Sequence, residues 1–312
     1  MAKVSVVMSV FNGEKYLKQA IESILNQSFG DFEFIIVNDG STDKSLEILK
    51  QYQKRDKRIK IITQENIGLP KSLSKAIAVS KGSYIARQDA DDISEPDRLK
   101  ILAEFLDNHP EVGLVGSLVT QIDKDGHELS KETLLTRSED IKNRLYTHNC
   151  FFHGSVMFRK TLFNKVGGYP TNTIVEDYAL WLKMMTYTDL ANLPEFLYKW
   201  RKYTDSKSGK EIKNGIIQYE HFKAAKQFLL DRISQIEKGS KKRGHNLALY
   251  LYKLGDLCYH HRHLADSRKY LIRAILHNPF NFKAYRYFLL SFLGAKFLNK
   301  LVEIRNGQTP NV

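Results

Sequence analysis

Cysteine is nearly missing from this chain. Cys150 and Cys258 are the only two, without metal-ligand spacing or a disulfide framework, so a reducing, cytoplasmic setting is expected. Long apolar runs are missing as well. The longest, such as Phe288-Leu289-Leu290-Ser291-Phe292-Leu293, fall far short of the roughly 20 residues a spanning helix needs. Met1-Ala2-Lys3 leads straight into strand-like Val4-Ser5-Val6-Val7-Met8 with no secretory pattern. A soluble or peripheral protein is expected, with the inner membrane face as its peripheral location. Two nucleotide signatures are also lacking: no Gly-x-Gly-x-x-Gly follows the first strand, and no Gly-x-x-x-x-Gly-Lys-Ser/Thr occurs. That argues against a dinucleotide site and excludes a P-loop enzyme.

What is present is globular: 42% hydrophobic and 11% aromatic residues in a chain of 312, long enough for about two domains. The formal charge of +13 is placed unevenly. Residues 201–312 hold 22 basic and 8 acidic side chains, a surplus of 14, and residues 1–200 balance to −1. An anionic partner is expected for the last third.

Along the first 120 residues, strand and helix patterns alternate. Strands are expected at Val4–Val10, Phe32–Val37, Ile59–Thr63 and residues 83–88. Helical spacing is expected at 14–27, around Leu46–Leu49, at Leu73–Val79 and at 95–107, the last with Ser94 and Asp97 as a capping pair and Pro96 in its first turn. A strand near 112–120 follows, then a looser connecting segment at 121–150. Beyond it come a strand over Phe151–Arg159, short helices at 160–166 and 176–187, and a strand-like run over Leu193–Tyr203. Such alternation gives a doubly wound, Rossmann-like, mostly parallel α/β sheet. After a polar linker at Lys202–Lys213, the pattern is all-helical at 212–236, 246–259, 264–277 and 281–298. Leu251, Leu254, Gly255, Leu271, Ala274 and Pro279 there fall on a tetratricopeptide-like spacing, with Cys258 and Ser267 off the pattern.

Open α/β sheets bind ligands where strands end at their carboxyl side. The polar loops there are Asn12, Asp39 with Ser41, Gln64–Gly68, and Asp89 with Asp91. Asp89 and Asp91 can point the same way, and two close carboxylates repel. A divalent cation relieves that conflict, and Mg2+ or Mn2+ takes such oxygen ligands together with phosphates. Local turn chemistry accounts for aspartates here equally well.

Five motifs in order carry a resemblance. Val4–Phe11 followed by Asn12, then Ile36-Val37-Asn38-Asp39-Gly40-Ser41-Thr42-Asp43, then Asn66-Ile67-Gly68, then Asp89-Ala90-Asp91-Asp92, and finally Glu176-Asp177 resemble the inverting family-2 glycosyltransferases of GT-A fold. The resemblance covers about residues 1–200. It implies a catalytic domain at 1–205, with a nucleotide-sugar half to about 120 and an acceptor half at 121–205, followed by a basic helical region at 206–312. It implies Asp39 at the base of a sugar nucleotide, usually UDP-linked, Asp89 at the ribose or sugar, Asp91 on the metal, and Asp177 as catalytic base. Phe11, Asn12, Glu14, Asn66, Gly68, Arg87 and Ala90 complete the implied donor site, and His153 and Glu176 lie on the acceptor side.

The family's usual Ala-Arg-Asn is replaced here by Ser72-Leu73-Ser74, which leaves Arg87 or Lys71 for the diphosphate. Gln-x-x-Arg-Trp, the mark of processive synthases, is absent after Asp177, so transfer of single residues to a glycan or lipid-linked glycan in cell-surface polysaccharide assembly is expected. Against a sugar-nucleotide nucleotidyltransferase, Phe11-Asn12-Gly13-Glu14 supplies no Gly-rich basic loop. Against a non-catalytic scaffold, all four acids are intact. Elsewhere, His260, His261 and His263 read as surface residues, and Trp181 and Trp200 as core. The C-terminal third interleaves Lys241-Lys242-Arg243, Arg268-Lys269, Arg273, Lys283, Arg286, Lys296 and Lys300 with aromatic residues. An anionic membrane is its expected partner, and no nucleic-acid motif is found.

Overall fold

The computed structural model describes residues 2–202, 216–238 and 244–292. Most of the expected linker, Lys241–Arg243, Lys296 and Lys300 therefore lie outside the described residues. Two compact units are present, Met1–His221 and Phe222–Val312.

In the first unit, β1 (Val4–Val10), β2 (Phe32–Asp39), β3 (Ile59–Gln64) and β4 (Tyr84–Arg87) alternate with α1 (Leu17–Leu25), α2 (Ser45–Arg55) and α3 (Leu69–Val79). β1 lies between β2 and β4, parallel to both, and β3 flanks β2. Every residue of β2, and all but Ser9 of β1, is buried. Strands covered on both faces read as near-continuous apolar runs, which is why β1 and β2 were visible as patterns, whereas β3 at the sheet edge mixes exposed with inward residues. The register Val10↔Asn38 and Asp39↔Gln64 brings the polar residues that end the strands to one rim of the sheet.

Beyond β4 the sheet turns mixed. β5 (Ile93–Ser94), α4 (Arg98–Asn108), β6 (Val112–Ile122), β7 (Glu128–Glu132), α5 (Ser138–Arg144), β8 (Met157–Arg159), α6 (Lys160–Lys165), α7 (Glu176–Met184) and β9 (Asp189–Arg201) complete the unit. The nine strands run β3-β2-β1-β4-β8-β6-β9-β5, with β7 on β6. β6 and β9 are parallel, and β8 is antiparallel to both β4 and β6. The expected doubly wound, mostly parallel sheet is present.

Two local expectations are corrected. Residues 94–97 do not open a helix: Ser94 pairs with Tyr198 in β5, its hydroxyl donates to Gln88 Oε1 at 2.6 Å, and α4 begins at Arg98. Strand pairing outweighs the local capping pattern because it closes the acidic loop against β9. The strand expected over Phe151–Arg159 is reduced to Met157–Arg159, preceded by a 3-10 turn at His153–Ser155. Asn149 Oδ1 accepts the Phe151 N–H and the Ser155 hydroxyl donates to Phe152 O, so side chains take over the backbone pairing there.

The second unit is helical, as expected. α8 (Ile216–Lys238) reaches it with Phe222, Ala225, Leu229 and Ile233 as a buried stripe. α9 (Gly244–His260) and α10 (Leu264–His277) pack so closely that a Cβ at Gly255 would lie 2.6 Å from Leu271 Cγ. Ser267 donates to Gly255 O at 2.9 Å across that contact, and α11 (Phe282–Leu290) follows. No helix among the described residues is long and apolar enough to cross a membrane. Trp181 is fully buried, whereas Trp200 is only half-buried, beside Phe152.

Candidate active site

The rim of the sheet is organised by Asp39. Its carboxylate is 2% exposed and accepts from Gln64 Nε2 at 2.8 Å and from the backbone N–H groups of Ile67 and Gly68, both at 3.0 Å. Burial pushes this acid up, but these bonds and Ser72 outweigh it and hold it below the usual carboxylate range. Hydrogen bonds to a charged group contribute about 1.5–3 kcal/mol each, enough to keep a buried Asp ionised. Asp39 thus folds the Asn66–Gly68 loop over the end of β2. Gly40 (φ 75°) makes room, since a Cβ there would sit 2.6 Å from Asn66 N. Ser72 accepts a bond from Gln64 at 2.8 Å, so the departure from Ala-Arg-Asn serves the same network, and Lys71 is exposed on α3.

Asn12 (φ 52°) ties the β1 loop to the β2 loop. Its N–H donates to Ser41 Oγ, and its side-chain oxygen accepts the Thr42 N–H at 2.8 Å. Phe11 is exposed beside it. Glu14 turns toward α2, where its carboxylate accepts the Lys44 N–H. Its role in these contacts is to brace the loop.

The acidic loop rests on three buried arginines. Arg87 donates to Asp89 Oδ1 at 2.6 Å and to the Gln88 carbonyl. It is fully enclosed, so it aims Asp89 from beneath the loop. Arg98 donates to the carbonyls of Gly154 (3.1 Å) and Arg87 (3.0 Å), and lies over the Tyr198 ring. Burial, with Arg87 adding repulsion, brings Arg98 down to about 10, against the pull of Tyr198; it stays charged at neutral pH. Arg201 donates from Nε to Asp91 O at 2.8 Å, and its N–H reaches Asp92 Oδ1 at 2.8 Å. The Tyr198 hydroxyl accepts the Asp89 N–H at 3.2 Å and bonds the Asp92 carboxyl.

Asp92 is enclosed, and burial followed by the charges of Asp91 and Asp89 pushes its carboxyl well above the usual range. Asp89 and Asp91 are half-buried at the loop surface, and Ala90 approaches Gly13. Asp89 and Asp91 are thus near enough for their charges to act on Asp92, and carboxylate oxygen of this kind suits a hard divalent cation.

Across the crevice stands the N-terminus of α7. Asp177 is half-buried and accepts a bond from Asn149 Nδ2 at 3.0 Å. Its carboxyl is raised, chiefly by burial and also by the charge of Asp89, against the bonds from the Tyr178 N–H and Asn149. Glu176 is buried, and its charge acts on Arg87. His153 meets Tyr169 OH at 2.8 Å and lies edge-on to Trp181; burial, then Arg87, holds it well below its ordinary value, so it is neutral. The acid after β4 and the acid heading α7 are thus near enough for their charges to interact, while Asp39 stands at the rim where β2 and β3 end.

Gly154 is where the two sides meet. A Cβ there would overlap the Tyr198 hydroxyl and lie 2.8 Å from Asp89 Oδ2. Gly154→Ala is expected to cost about 1–3 kcal/mol in stability through overpacking and to lower turnover at least about tenfold by displacing Asp89. Chemical denaturation and a donor-turnover assay would show both effects.

Asn149, Arg98, Tyr198 and Arg201 escaped sequence reasoning, since each acts on a residue far away in the chain. A second grouping, Asp123, Asp125 and His127, lies on the exposed turn between β6 and β7. Asp123 Oδ1 there accepts the N–H groups of Asp125 and His127, so a turn accounts for it.

Residues 5–167 match the family model for glycosyl transferase family 2. The chain is 38% identical over 208 residues to the O-antigen biosynthesis glycosyltransferase WbnJ of Escherichia coli, covering 65% of this chain and 81% of that protein. Among solved structures it is similar to S. aureus TarS 1-349 in complex with UDP-GlcNAc, with TM-score 0.57, 19% identity, and coverage of 99% of this chain and 93% of that one. It is also similar to the mannosyltransferase PcManGT from Pyrobaculum calidifontis in complex with GDP-Man and Mn2+, with TM-score 0.57, 16% identity, and coverage of 93% and 86%. At these identities the two structures show a shared fold.

Proposed function

The chain belongs to glycosyl transferase family 2, and we propose that it is a metal-dependent inverting enzyme transferring one sugar from a UDP-linked donor to a glycan or lipid-linked glycan. Residues 1–205 form the catalytic domain in this proposal. The relative named for O-antigen biosynthesis supports a place in cell-surface polysaccharide assembly, and the UDP-GlcNAc complex of a similar fold supports the donor class.

The observation carrying the proposal is that two acids are fixed near one another, Asp89 by Arg87 at 2.6 Å and Asp177 by Asn149 at 3.0 Å, with the charge of Asp89 acting on Asp177. One acid stands on the acceptor side and another on the donor side of a single gap. Inversion requires the acceptor oxygen to lose its proton as it attacks the anomeric carbon, on the face opposite the leaving diphosphate. Asp177, with its proton affinity raised, takes that proton, and Asn149 holds one carboxylate oxygen so that the other faces the hydroxyl. Asp39, through the loop it folds, and Asn12 shape the end that takes the base; Asp89, aimed by Arg87, meets the ribose or sugar. A Mn2+ or Mg2+ ion held by Asp91 would offset the charge developing on the leaving diphosphate. The C-terminal region is the part that meets the anionic membrane carrying lipid-linked acceptors.

Proton NMR of the product formed from an α-linked UDP-sugar tests the mechanism. A β-linked product, with turnover lost in chelator and restored by Mn2+, is expected. An α-linked product would exclude inversion.

A further inference from the structure

Helix α11 carries apolar side chains on two opposite faces. Ala284, Tyr287 and Phe288, spaced i, i+3 and i+4, turn inward. Phe282, Tyr285, Leu289 and Phe292, spaced i, i+3, i+7 and i+10, turn outward and are 78%, 38%, 66% and 57% exposed. Leu276 and Phe280, just before this helix, are exposed as well, at 75% and 82%. A helix packed on a core needs one apolar stripe, and a contiguous second one marks an interaction surface.

The segment that carries this face has charge of one sign. Residues 267–302 contain no Asp or Glu, but seven Lys and Arg. Lys283 and Arg286 are exposed on α11 itself. Arg268 is already engaged, donating to Ser291 O and lying over the Phe292 ring, and Arg273 is paired with Glu237.

We propose that the outward face of α11, centred on Phe282 and Leu289 and flanked by Lys283 and Arg286, docks on an anionic lipid bilayer. This rests on the reading that the C-terminal region meets a membrane, and assigns the side chains that do so. Cations alone would serve any polyanion. Exposed Leu276 and Leu289 offer little to bases or phosphates, whereas the bilayer interface takes aliphatic and aromatic side chains alike and lets the cations beside them reach headgroups.

Flotation of the full chain with vesicles of phosphatidylcholine, with and without phosphatidylglycerol, tests it. Binding to the anionic vesicles only is expected. The F282S/L289S variant should bind at least about tenfold more weakly, and K283Q/R286Q about 30-fold more weakly. Both alter exposed positions, so melting curves should match wild type. If wild type binds neither vesicle, the membrane reading itself fails. If wild type binds and F282S/L289S binds equally well, the membrane reading survives and this face is wrong. If a short DNA duplex binds as tightly as the vesicles and F282S/L289S keeps that binding, the face is a polyanion site.

Discussion

Asp177→Asn is expected to lower kcat by about 10²–10⁴-fold, the range attributed to a positioned general base, and to leave the fold intact. The substitution keeps shape, and Asn149 retains a side-chain oxygen to donate to. Stability should also respond in a definite direction. The Asp177 carboxyl is raised in the folded protein, so its contribution is full below the unfolded carboxyl pKa and is lost as pH rises through the folded value. At alkaline pH the wild type holds a buried carboxylate that the variant lacks. Asp177→Asn should therefore melt at or above wild type at pH 8, with the difference shrinking toward acid pH. A companion change isolates positioning from chemistry. Asn149→Ala removes a bond that favours the ionised form, so the acid limb of its kcat/KM profile should move to higher pH. A kcat for Asp177→Asn within threefold of wild type would remove Asp177 from the mechanism.

The second large effect belongs to Asp91→Asn. Asp91 is half-buried at the loop surface, anchored through its carbonyl by Arg201. Its charge is among those that raise Asp92. Removing it relieves repulsion in the ligand-free protein, so the melting temperature without ligand should not fall. Donor turnover should drop at least about 100-fold, because a cation supplies several kcal/mol of charge stabilisation on the diphosphate. The loss should deepen at low Mn2+ and recover partly at high Mn2+, which a titration of rate against metal would show. An unchanged metal dependence would place the cation elsewhere.

How much of this was legible from residues alone follows from what each local rule can see. β1, β2 and β4 and their loops were visible because parallel strands buried on both faces are near-continuous apolar runs, and β3 at the sheet edge was visible as a short β-branched run between turns. β5 was not, since a two-residue strand exists only through its pairing with β9. The 3-10 turn at His153–Ser155 likewise depends on Asn149 and on the narrow space beside Tyr198. Arg87 was readable as a residue beside the acids, but its burial beneath Asp89 was not, because sequence places a cation near a loop without saying which side of it. Arg98, Tyr198 and Arg201 lie where pattern reasoning expects ordinary helix and strand residues. Tyr198 and Arg201 meet the acidic loop only because the chain returns to it through β9, and Arg98 meets it from α4. In the second unit, the Leu251–Ala274 spacing marked two helices, and their close packing at Gly255 came only with the structure. The double-faced α11 was hidden, since both of its faces are apolar in the sequence and only packing separates them.

The central claim is that Asp91 holds a nucleotide sugar's diphosphate through a divalent cation. Melting the protein with UDP alone, Mn2+ alone and both together measures it most directly. At concentrations near 100 times Kd, a ligand selective for the folded state adds about 2.7 kcal/mol, a rise of about 5–10 °C for a unit of this size. UDP with Mn2+ should raise the melting temperature by more than the two separate shifts combined, and Asp91→Asn should erase that excess. Shifts that merely add, or an excess that persists in Asp91→Asn, would contradict the account.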